Sequence, residues 1–217
     1  MIVALLNQTR AAGRTTLAVQ IAGELALRGQ RVALLDADGH SGALEWAEAR
    51  RRNSLPALFQ TIGVSSRELR GGLWGLRTTL DHLIIDTPSH SADALRSALL
   101  AADTVLLPTR PERPAMGRCA ATMQLVAEAQ AAELATTATL VFTRAPIGMS
   151  VEPGAEVTVC GLRLPVAASV VRERMSFALS RNTGLLVHET DLAGQAEGDV
   201  RRLVGEVFGV LPVVAGG

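Results

Sequence analysis

Residues 2–16 read Ile2-Val-Ala-Leu-Leu-Asn-Gln-Thr-Arg-Ala-Ala-Gly-Arg-Thr-Thr16. An apolar run of strand length comes first, a short loop follows, and a helical pattern then extends from Leu17 to Leu27. A strand that passes through a tight loop into a helix directs backbone N–H groups, and the positive end of the helix dipole, at one point. The stretch therefore predicts an anion-binding loop.

The basic position of this loop is unusual. In the general phosphate-binding pattern, G-x-x-x-x-G-K-[ST], the lysine reaches the β- and γ-phosphates and the hydroxyl binds Mg²⁺. Here Gln8 stands at the first glycine, Arg14 at the lysine and Thr15 at the hydroxyl. The chain contains no lysine at all, and its 21 basic side chains are all arginine. Two explanations of Arg14 stay open. Either the whole chain has drifted from lysine toward arginine and the site keeps partial function, or the site is no longer under constraint, as in a pseudo-ATPase.

The loop resembles that of a known family. Residues Asn7 to Thr16 are similar to the N-Q-K-G-G-x-G-K-T-T loop of the ParA/MinD family of deviant Walker ATPases. Thr9 stands where this family has its signature lysine, Arg10 and Ala11 replace two glycines, and Arg14 replaces the P-loop lysine.

Three downstream segments extend the resemblance. The stretch from Asp36 to Leu44 resembles the family's D-x-D-P-Q-G-S, with Asp38 matching and Gly39 and His40 in place of Pro-Gln. The stretch from Asp81 to Ser89 resembles a buried strand that ends in a Walker B aspartate, Asp86. The fourth segment resembles R-x-x-F-x-x-[AS] followed by G-x-x-V-x-E, at Arg174, Phe177, Ser180, Gly184, Val187 and Glu189.

Composition fits one α/β domain. With 217 residues, 48% hydrophobic and 19% charged, the chain can cover both faces of a sheet. We expect one nucleotide-binding domain over residues 1–210 and a flexible tail over 211–217. Few aromatic residues argue against a base-stacking platform for single-stranded nucleic acid. Cys119 and Cys160 lack metal-ligand spacing and are expected to be reduced, buried thiols. The first apolar run is too short to cross a bilayer, so we expect a cytoplasmic protein without membrane association.

Short apolar runs alternate with helical patterns, which predicts a mostly parallel sheet with helices on both faces and the ligand at the carboxyl ends of the strands. The resemblance implies a P-loop NTPase fold. Two stretches, Arg50 to Arg77 and Pro146 to Pro153, are expected to be less ordered. The predicted strands are Ile2–Leu6, Arg31–Asp36, His82–Asp86, Thr104–Leu107, Thr139–Phe142 and a strand near Leu164–Ala167. The predicted helices are Arg14–Leu27, Ala43–Arg52, Ser91–Ala101, Pro114–Ala132, Val171–Arg181 and Asp199–Phe208.

The resemblance also implies ATP or ADP and Mg²⁺ as cofactors. Thr15 would bind Mg²⁺, Asp86 would hold it through a water, and Asp36, near the same metal, would position or deprotonate the attacking water. Thr143 and Arg144 would contact adenine. The loop residues expected to bind the nucleotide are Arg10, Ala11, Ala12, Gly13, Arg14, Thr15 and Thr16.

Arg14 is expected to affect hydrolysis more than binding. Guanidinium keeps the positive charge of the lysine but presents it as a larger planar fork, which can bind phosphate and still miss the transition-state geometry. The resemblance also implies a dimer in which the signature lysine crosses the interface to the phosphates of the partner's nucleotide. Thr9 cannot make this contact, and Arg10, offset by one residue from the signature position, is a candidate to make it instead. Any ATPase activity is therefore expected to be weak or stimulated by a partner.

The resemblance implies a nucleotide-dependent homodimer, a small DNA-binding or cargo-adaptor partner protein, and non-specific binding to double-stranded DNA. The formal net charge is zero, so no global basic signal supports DNA binding. Late-helix arginines are candidates for a DNA-binding patch, although a solvated helix face explains them equally well: Arg172, Arg174, Arg181, Arg201 and Arg202. His40 and His90 are expected near the nucleotide or as structural residues.

Three functions remain in view. The first is a ParA-like partition protein that segregates or positions a plasmid, chromosome region or other cargo. The second is a catalytically silent nucleotide-binding or scaffold protein of the same fold. The third, a synthetase or metal-insertion factor, is less favoured because the chain has no obvious substrate domain and no Cys-x-Cys site.

Overall fold

The computed structural model describes residues 1–37, 42–71, 73–131, 136–191 and 194–209. The expectations for Asp38, Gly39 and His40 and for the tail 211–217 lie outside the described residues. The strands are β1 (Ile2–Leu5), β2 (Val32–Asp36), β3 (Gln60–Gly63), β4 (His82–Asp86), β5 (Thr104–Thr109), β6 (Thr137–Ala145), β7 (Glu156–Val159), β8 (Leu162–Pro165) and β9 (Val171–Arg172). The helices are α1 (Arg14–Leu27), α2 (Gly42–Arg52), α3 (Ser66–Arg70), α4 (Trp74–Arg77), α5 (Ala92–Ala101), α6 (Arg113–Ala131), α7 (Met175–Thr183), α8 (Val187–Thr190) and α9 (Gln195–Phe208).

Within the described residues, seven strands form one sheet in the order β3-β2-β4-β1-β5-β6-β9. Each neighbouring pair runs parallel. The predicted parallel α/β fold is confirmed. Because all these strands run in one direction, the loops that follow them meet at a single edge of the sheet.

Helices cover both faces of the sheet, and β1 shows how the chain builds the two layers. Ile2 and Ala4 belong to the core under α5 and α6, whereas Val3 and Leu5 belong to the core under α1 and α9. Alternate side chains of a strand point to opposite faces, so a strand buried on both sides is a continuous apolar run.

Three predicted elements were wrong in part. Residues 50–77, expected to be less ordered, contain β3, α3 and α4. The strand β3 is short and largely exposed, so its apolar pattern is weak. A capping box between Ser65 and Glu68 begins α3, and its S-x-x-E spacing was visible in the sequence.

The other two differences lie at the far side of the sheet. Val171 and Arg172, expected to start a helix, form β9 beside β6, and α7 begins at Met175. The β-branched valine favours a strand where β6 leaves an edge to pair with. The strand expected near Leu164 pairs antiparallel with β7 outside the central sheet, and Val166 makes only an isolated bridge to Leu140. Cys119 is buried as expected, but Cys160 is exposed in the β7–β8 turn.

The fourth resembling segment packs against α2. A Cβ at Gly184, which has φ +73°, would lie 2.2 Å from the backbone nitrogen of Arg50. Glu189 accepts hydrogen bonds of 2.8 and 3.1 Å from the Arg50 guanidinium and one of 2.7 Å from the backbone N–H of Leu186. Gly184 and Glu189 therefore serve the packing of the fold, and Val187 is buried in the core under α1 and α9. No helix in the part of the chain that the structure describes is long and apolar enough to cross a membrane.

Candidate functional site

The ends of the central strands bring the predicted phosphate loop and both predicted carboxylates to one edge. Asp86, the last residue of β4, stands in register with Leu5 of β1 and with Asp36 of β2. The loop that follows β1 therefore begins directly beside Asp86, and Asp36 lies one strand further away in the order β2-β4-β1. Parallel pairing produces this arrangement, because it aligns strand ends from distant parts of the chain.

Asn7 anchors the start of the loop. Its side-chain amide donates to the carbonyl of Pro108 (2.7 Å) and to the hydroxyl of Thr109 (3.2 Å), and its side-chain oxygen accepts from the N–H of Thr9 (2.7 Å). The side chain is fully buried. Burial raises the pKa of the neighbouring Cys119 thiol, an effect that the Thr109 hydrogen bond partly opposes, so this thiol is neutral at physiological pH.

The backbone of the loop is left-handed at two positions. Ala11 has φ +57° and Gly13 has φ +85°. Glycine adopts this region without strain, whereas alanine does not. The replacement of a family glycine by Ala11 therefore places a Cβ where the loop needs positive φ. The hydroxyl of Thr143 donates 2.8 Å to the carbonyl of Ala12 and so ties the end of β6 to the loop.

The guanidinium of Arg14 is bound to the loop itself. The side chain is 9% exposed, its Nε donates 2.9 Å to the carbonyl of Thr87, and its Nη1 donates to the carbonyls of Thr9 (2.9 Å) and Asn7. Thr87 in turn donates from its hydroxyl to the carbonyl of Leu5 (2.7 Å). Arg14 therefore links the loop to the end of β4.

Thr15 and Thr16 lie in the first turn of α1, and both are half-buried. The start of α2 packs closely on Thr15, because a Cβ at Gly42 would lie 3.1 Å from its Cγ2 and 3.3 Å from its Oγ1. Glycine at position 42 leaves room beside the hydroxyl that the sequence predicts as a metal ligand.

The two predicted carboxylates differ in their surroundings. One oxygen of Asp36, Oδ2, accepts hydrogen bonds of 3.0 Å from the backbone N–H groups of both Ala43 and Leu44, so it caps the start of α2. Asp86 has no exposed surface. No cluster of three or more His, Cys, Asp or Glu side chains within the described ranges could hold a metal ion. A metal at this edge would need ligands from Thr15, water or a bound phosphate.

A cavity of about 360 Å³ opens beside the loop. Gly13 and Thr16 line one side, Thr143 and Arg144 line another, and Arg144 has φ +49°. The structure thus brings four of the predicted nucleotide-binding residues together around one space. The remaining wall includes Arg174 and Phe177, which the fourth segment had singled out, and Arg172 and Arg181, which the sequence analysis had named only as candidates for DNA binding. The sequence analysis missed the other lining residues: Leu17, Val171, Glu173, Ala178 and Asn182.

Most of the arginines predicted to bind DNA have acidic neighbours, and three of the five line the cavity. Arg172, Arg174 and Arg181 line the cavity. Arg172 and Arg202 form ion pairs of 2.6 and 2.5 Å with Asp199, which is 1% exposed and which the sequence did not single out.

Arg174 also approaches Asp199, at 3.7 Å. Arg201 pairs with Glu197 at 2.6 Å and with Glu24 at 3.7 Å. Within the described residues Arg181 has no ion pair. Acidic neighbours therefore offset four of these five charges.

Arg10 lines a different cavity from Gly13 and Thr16. It is exposed, and together with Ala11 and Ala12 it lines a second cavity of about 130 Å³ between the loop and the β5–α6 connection. His90 is exposed after the end of β4.

Comparisons with known proteins identify the family. The model of the VirC1 protein family matches residues 2–205. Protein virC1 of Rhizobium rhizogenes is 26% identical over 196 residues, which cover 88% of this chain and 84% of that protein. Two solved structures share the fold at 17% identity. The McdA–ATP complex from Cyanothece has a TM-score of 0.75 and 98% coverage of both chains. The septum site-determining protein MinD with Mg-ADP from Pyrococcus horikoshii has a TM-score of 0.68 and 95% coverage of both.

The resemblance to the ParA/MinD family is confirmed at the level of family and fold. The match spans nearly the whole chain, from β1 into α9. The chain belongs to the VirC1 protein family and has the P-loop fold of the MinD and ParA ATPases.

Proposed function

We propose that this protein is a ParA-like positioning or partition protein that binds ATP and Mg²⁺, dimerises on the nucleotide, and acts with DNA and a partner protein on a cargo. The observation that carries the proposal is the 360 Å³ cavity, which lies against the first turn of α1 and the end of β6. A site of this volume with both polar and apolar walls suits a small-molecule ligand.

In this proposal the adenosine lies in the cavity and the phosphates lie over the loop. Thr143, Arg144 and Phe177 line the space for the base and sugar. The N–H groups of Gly13, Arg14, Thr15 and Thr16 at the start of α1 are suited to the α- and β-phosphates. The similarity to structures determined with ATP and with Mg-ADP supports this placement.

Mg²⁺ would be held by Thr15 and by phosphate oxygens, with Asp86 acting through water. Mg²⁺ usually keeps several waters and takes few protein ligands, so two carboxylates and a hydroxyl fit it. Asp36 has one oxygen engaged with α2, and its other oxygen is the candidate for positioning an attacking water. The metal would neutralise phosphate charge, and the protein groups would orient the water and the phosphates.

The environment of Arg14 argues for slow hydrolysis. Its guanidinium donates to three carbonyls of the protein, so contact with a γ-phosphate would require exchange of some of these hydrogen bonds. A guanidinium that must first leave its carbonyl partners is not preorganised to stabilise the negative charge of the transition state, so it accelerates hydrolysis little.

The decisive experiment measures ATP and ADP binding with Mg²⁺ by calorimetry, together with light scattering for oligomeric state. Ala178 is exposed and lines the cavity, so Ala178→Trp is expected to fill the cavity and weaken nucleotide binding at least tenfold. Leu179, exposed on the same helix, does not line it, and Leu179→Trp is the matched control. If Ala178→Trp binds ATP as tightly as wild type, the nucleotide lies elsewhere and the proposal is refuted.

The second candidate function is a catalytically silent scaffold protein of the same fold, and the same Arg14 hydrogen bonds favour it. In that case the guanidinium fills part of the loop permanently as a structural group. Absence of ATP and ADP binding at millimolar concentration, with a folded protein, would select the scaffold.

A further inference from the structure

We infer that the second cavity, which is separate from the proposed nucleotide cavity, is a binding site for a terminal phosphoryl group. It has a volume of about 130 Å³ and is lined by Arg10, Arg110 and Arg118 together with residues of the loop and Thr109. The two cavities have no lining residue in common.

The charges of the second cavity are all of one sign. Its wall contains three arginines and no acidic residue, in a chain with a formal net charge of zero. None of the three forms an ion pair in the described part of the chain, in contrast to Arg172, Arg174, Arg201 and Arg202. Three arginines that line one cavity and have no counterion within the described residues are suited to an oxyanion, because each guanidinium offers N–H donors in a planar fork.

Arg110 supplies an independent observation. Its Nε is buried and makes no hydrogen bond within the described residues. A buried N–H donor without an acceptor is energetically costly, and native structures rarely contain one. An anion in the cavity would satisfy this donor.

The surroundings favour a small dianion. The cavity is about a third of the size of its neighbour, room for a phosphoryl group but not for a nucleoside. Ala115, in the first turn of the 19-residue helix α6, lines the cavity, so the positive end of the α6 dipole adds to the three side-chain charges. The first turn of α6 contains no acidic residue.

The test uses inorganic phosphate as the probe, titrated by calorimetry into the full-length protein without nucleotide. Wild-type protein is expected to bind phosphate at one site, and Arg118→Gln and Arg110→Gln are each expected to weaken binding about tenfold or more, the usual effect of losing a charge-assisted contact. Arg118 is exposed, so its replacement does not disturb the core, and thermal melting verifies the fold of Arg110→Gln. Arg96→Gln, at an exposed arginine of α5, is the charge-matched control and is expected to bind phosphate like wild type.

Several results would overturn the inference: no phosphate binding by wild-type protein, equal binding by wild type and both variants, or loss of binding in Arg96→Gln as well. Phosphate held in the loop itself would be insensitive to Arg118→Gln. If a short DNA duplex binds through Arg110 and Arg118 while phosphate does not, the cavity belongs to a DNA surface and the assignment is wrong.

Competition then identifies the source of the phosphoryl group. Displacement of phosphate by Mg-ATP that depends on Arg118 assigns the cavity to a nucleotide's terminal phosphate, and no displacement assigns it to free phosphate. The inference is separable from the proposed function, because Ala178→Trp is expected to weaken ATP binding at least tenfold and leave phosphate binding unchanged.

Discussion

The Nε of Arg14 donates a hydrogen bond of 2.9 Å to the carbonyl oxygen of Thr87, across 73 residues of sequence. The same guanidinium donates hydrogen bonds from Nη1 to the carbonyl oxygens of Asn7 and Thr9. The side chain that should meet a phosphate therefore joins the phosphate loop to the end of β4.

Arg14→Lys tests whether the arginine is a passive replacement. A lysine has a compact charge on a flexible stem and cannot span three carbonyls with a planar fork. We expect ATP turnover, measured as phosphate release, to rise at least severalfold, with a small loss of stability. Unchanged turnover in a variant that still binds ATP would contradict the idea of an otherwise intact site.

Ala11→Gly should stabilise the loop. Ala11 has φ +57°, and left-handed backbone costs a non-glycine residue about 1 kcal/mol. We expect the free energy of unfolding to rise by up to about 1 kcal/mol in urea titrations. Ala12→Gly is the control: Ala12 is buried and its φ is not positive, so the change should lower stability. Equal effects at the two positions would show that φ at Ala11 is not strained.

Gly184→Ala should be strongly destabilising. The new Cβ would lie 2.2 Å from the backbone nitrogen of Arg50, at φ +73°, and backbone cannot yield as a side chain can. We expect a loss of about 3 kcal/mol in the free energy of unfolding. Gly29→Ala separates the two causes, because Gly29 has φ +77° with nothing near its Cβ and should lose only about 1 kcal/mol. Similar losses in both variants would refute the close contact.

Asp36→Ala should lower stability as well as any turnover. The carboxylate accepts from the N–H groups of Ala43 and Leu44, and loss of such a cap costs about 1–2 kcal/mol. Asp36→Asn keeps an acceptor and should retain most of the stability while it removes the negative charge. A turnover defect in Asp36→Asn at near-native melting temperature would therefore report on chemistry, whereas equal melting of both variants would exclude the capping role.

The ionisation of Glu189 should make the free energy of unfolding depend on pH. Burial tends to raise the pKa of this carboxyl, but hydrogen bonds from Arg50 and from the backbone of Leu186 outweigh it, so the pKa lies below its ordinary value of 4.5. A lowered folded-state pKa contributes stability that is present above the unfolded pKa and lost as pH falls through the folded pKa. Glu189→Gln should be less stable than wild type at pH 7, and this difference should shrink below about pH 4.5.

Urea titrations from pH 3 to pH 7 measure this difference. Glu152→Gln, at an exposed carboxylate, is the control and should match wild type throughout. A gap between wild type and Glu189→Gln that is constant over the whole range would contradict the ionised pair with Arg50.

The sequence by itself determined the parallel fold and the edge where a ligand would lie. Apolar runs such as Ile2–Leu5 and His82–Asp86 are buried on both faces, and that pattern depends on local residue order alone. Once the strands run parallel, the loop after β1, Asp36 and Asp86 lie at the same edge of the sheet, since each directly follows or ends a strand, and the strand order β2-β4-β1 makes them neighbours.

Only the tertiary structure decided what the arginines do. All arginine side chains have the same chemistry, yet Arg14 donates to backbone carbonyls, Arg172 pairs with Asp199, and Arg110 and Arg118 line a cavity and have no ion pair among the residues that the structure describes. A long charged side chain takes its role from whatever acceptor the fold brings within reach, and acceptors such as the Thr87 carbonyl for Arg14 and Asp199 for Arg172 lie 73 and 27 residues away in the chain. No local sequence pattern indicates which distant acceptor an arginine will meet. For that reason the sequence located the site but not the hydrogen-bond and ion-pair partners of its arginines.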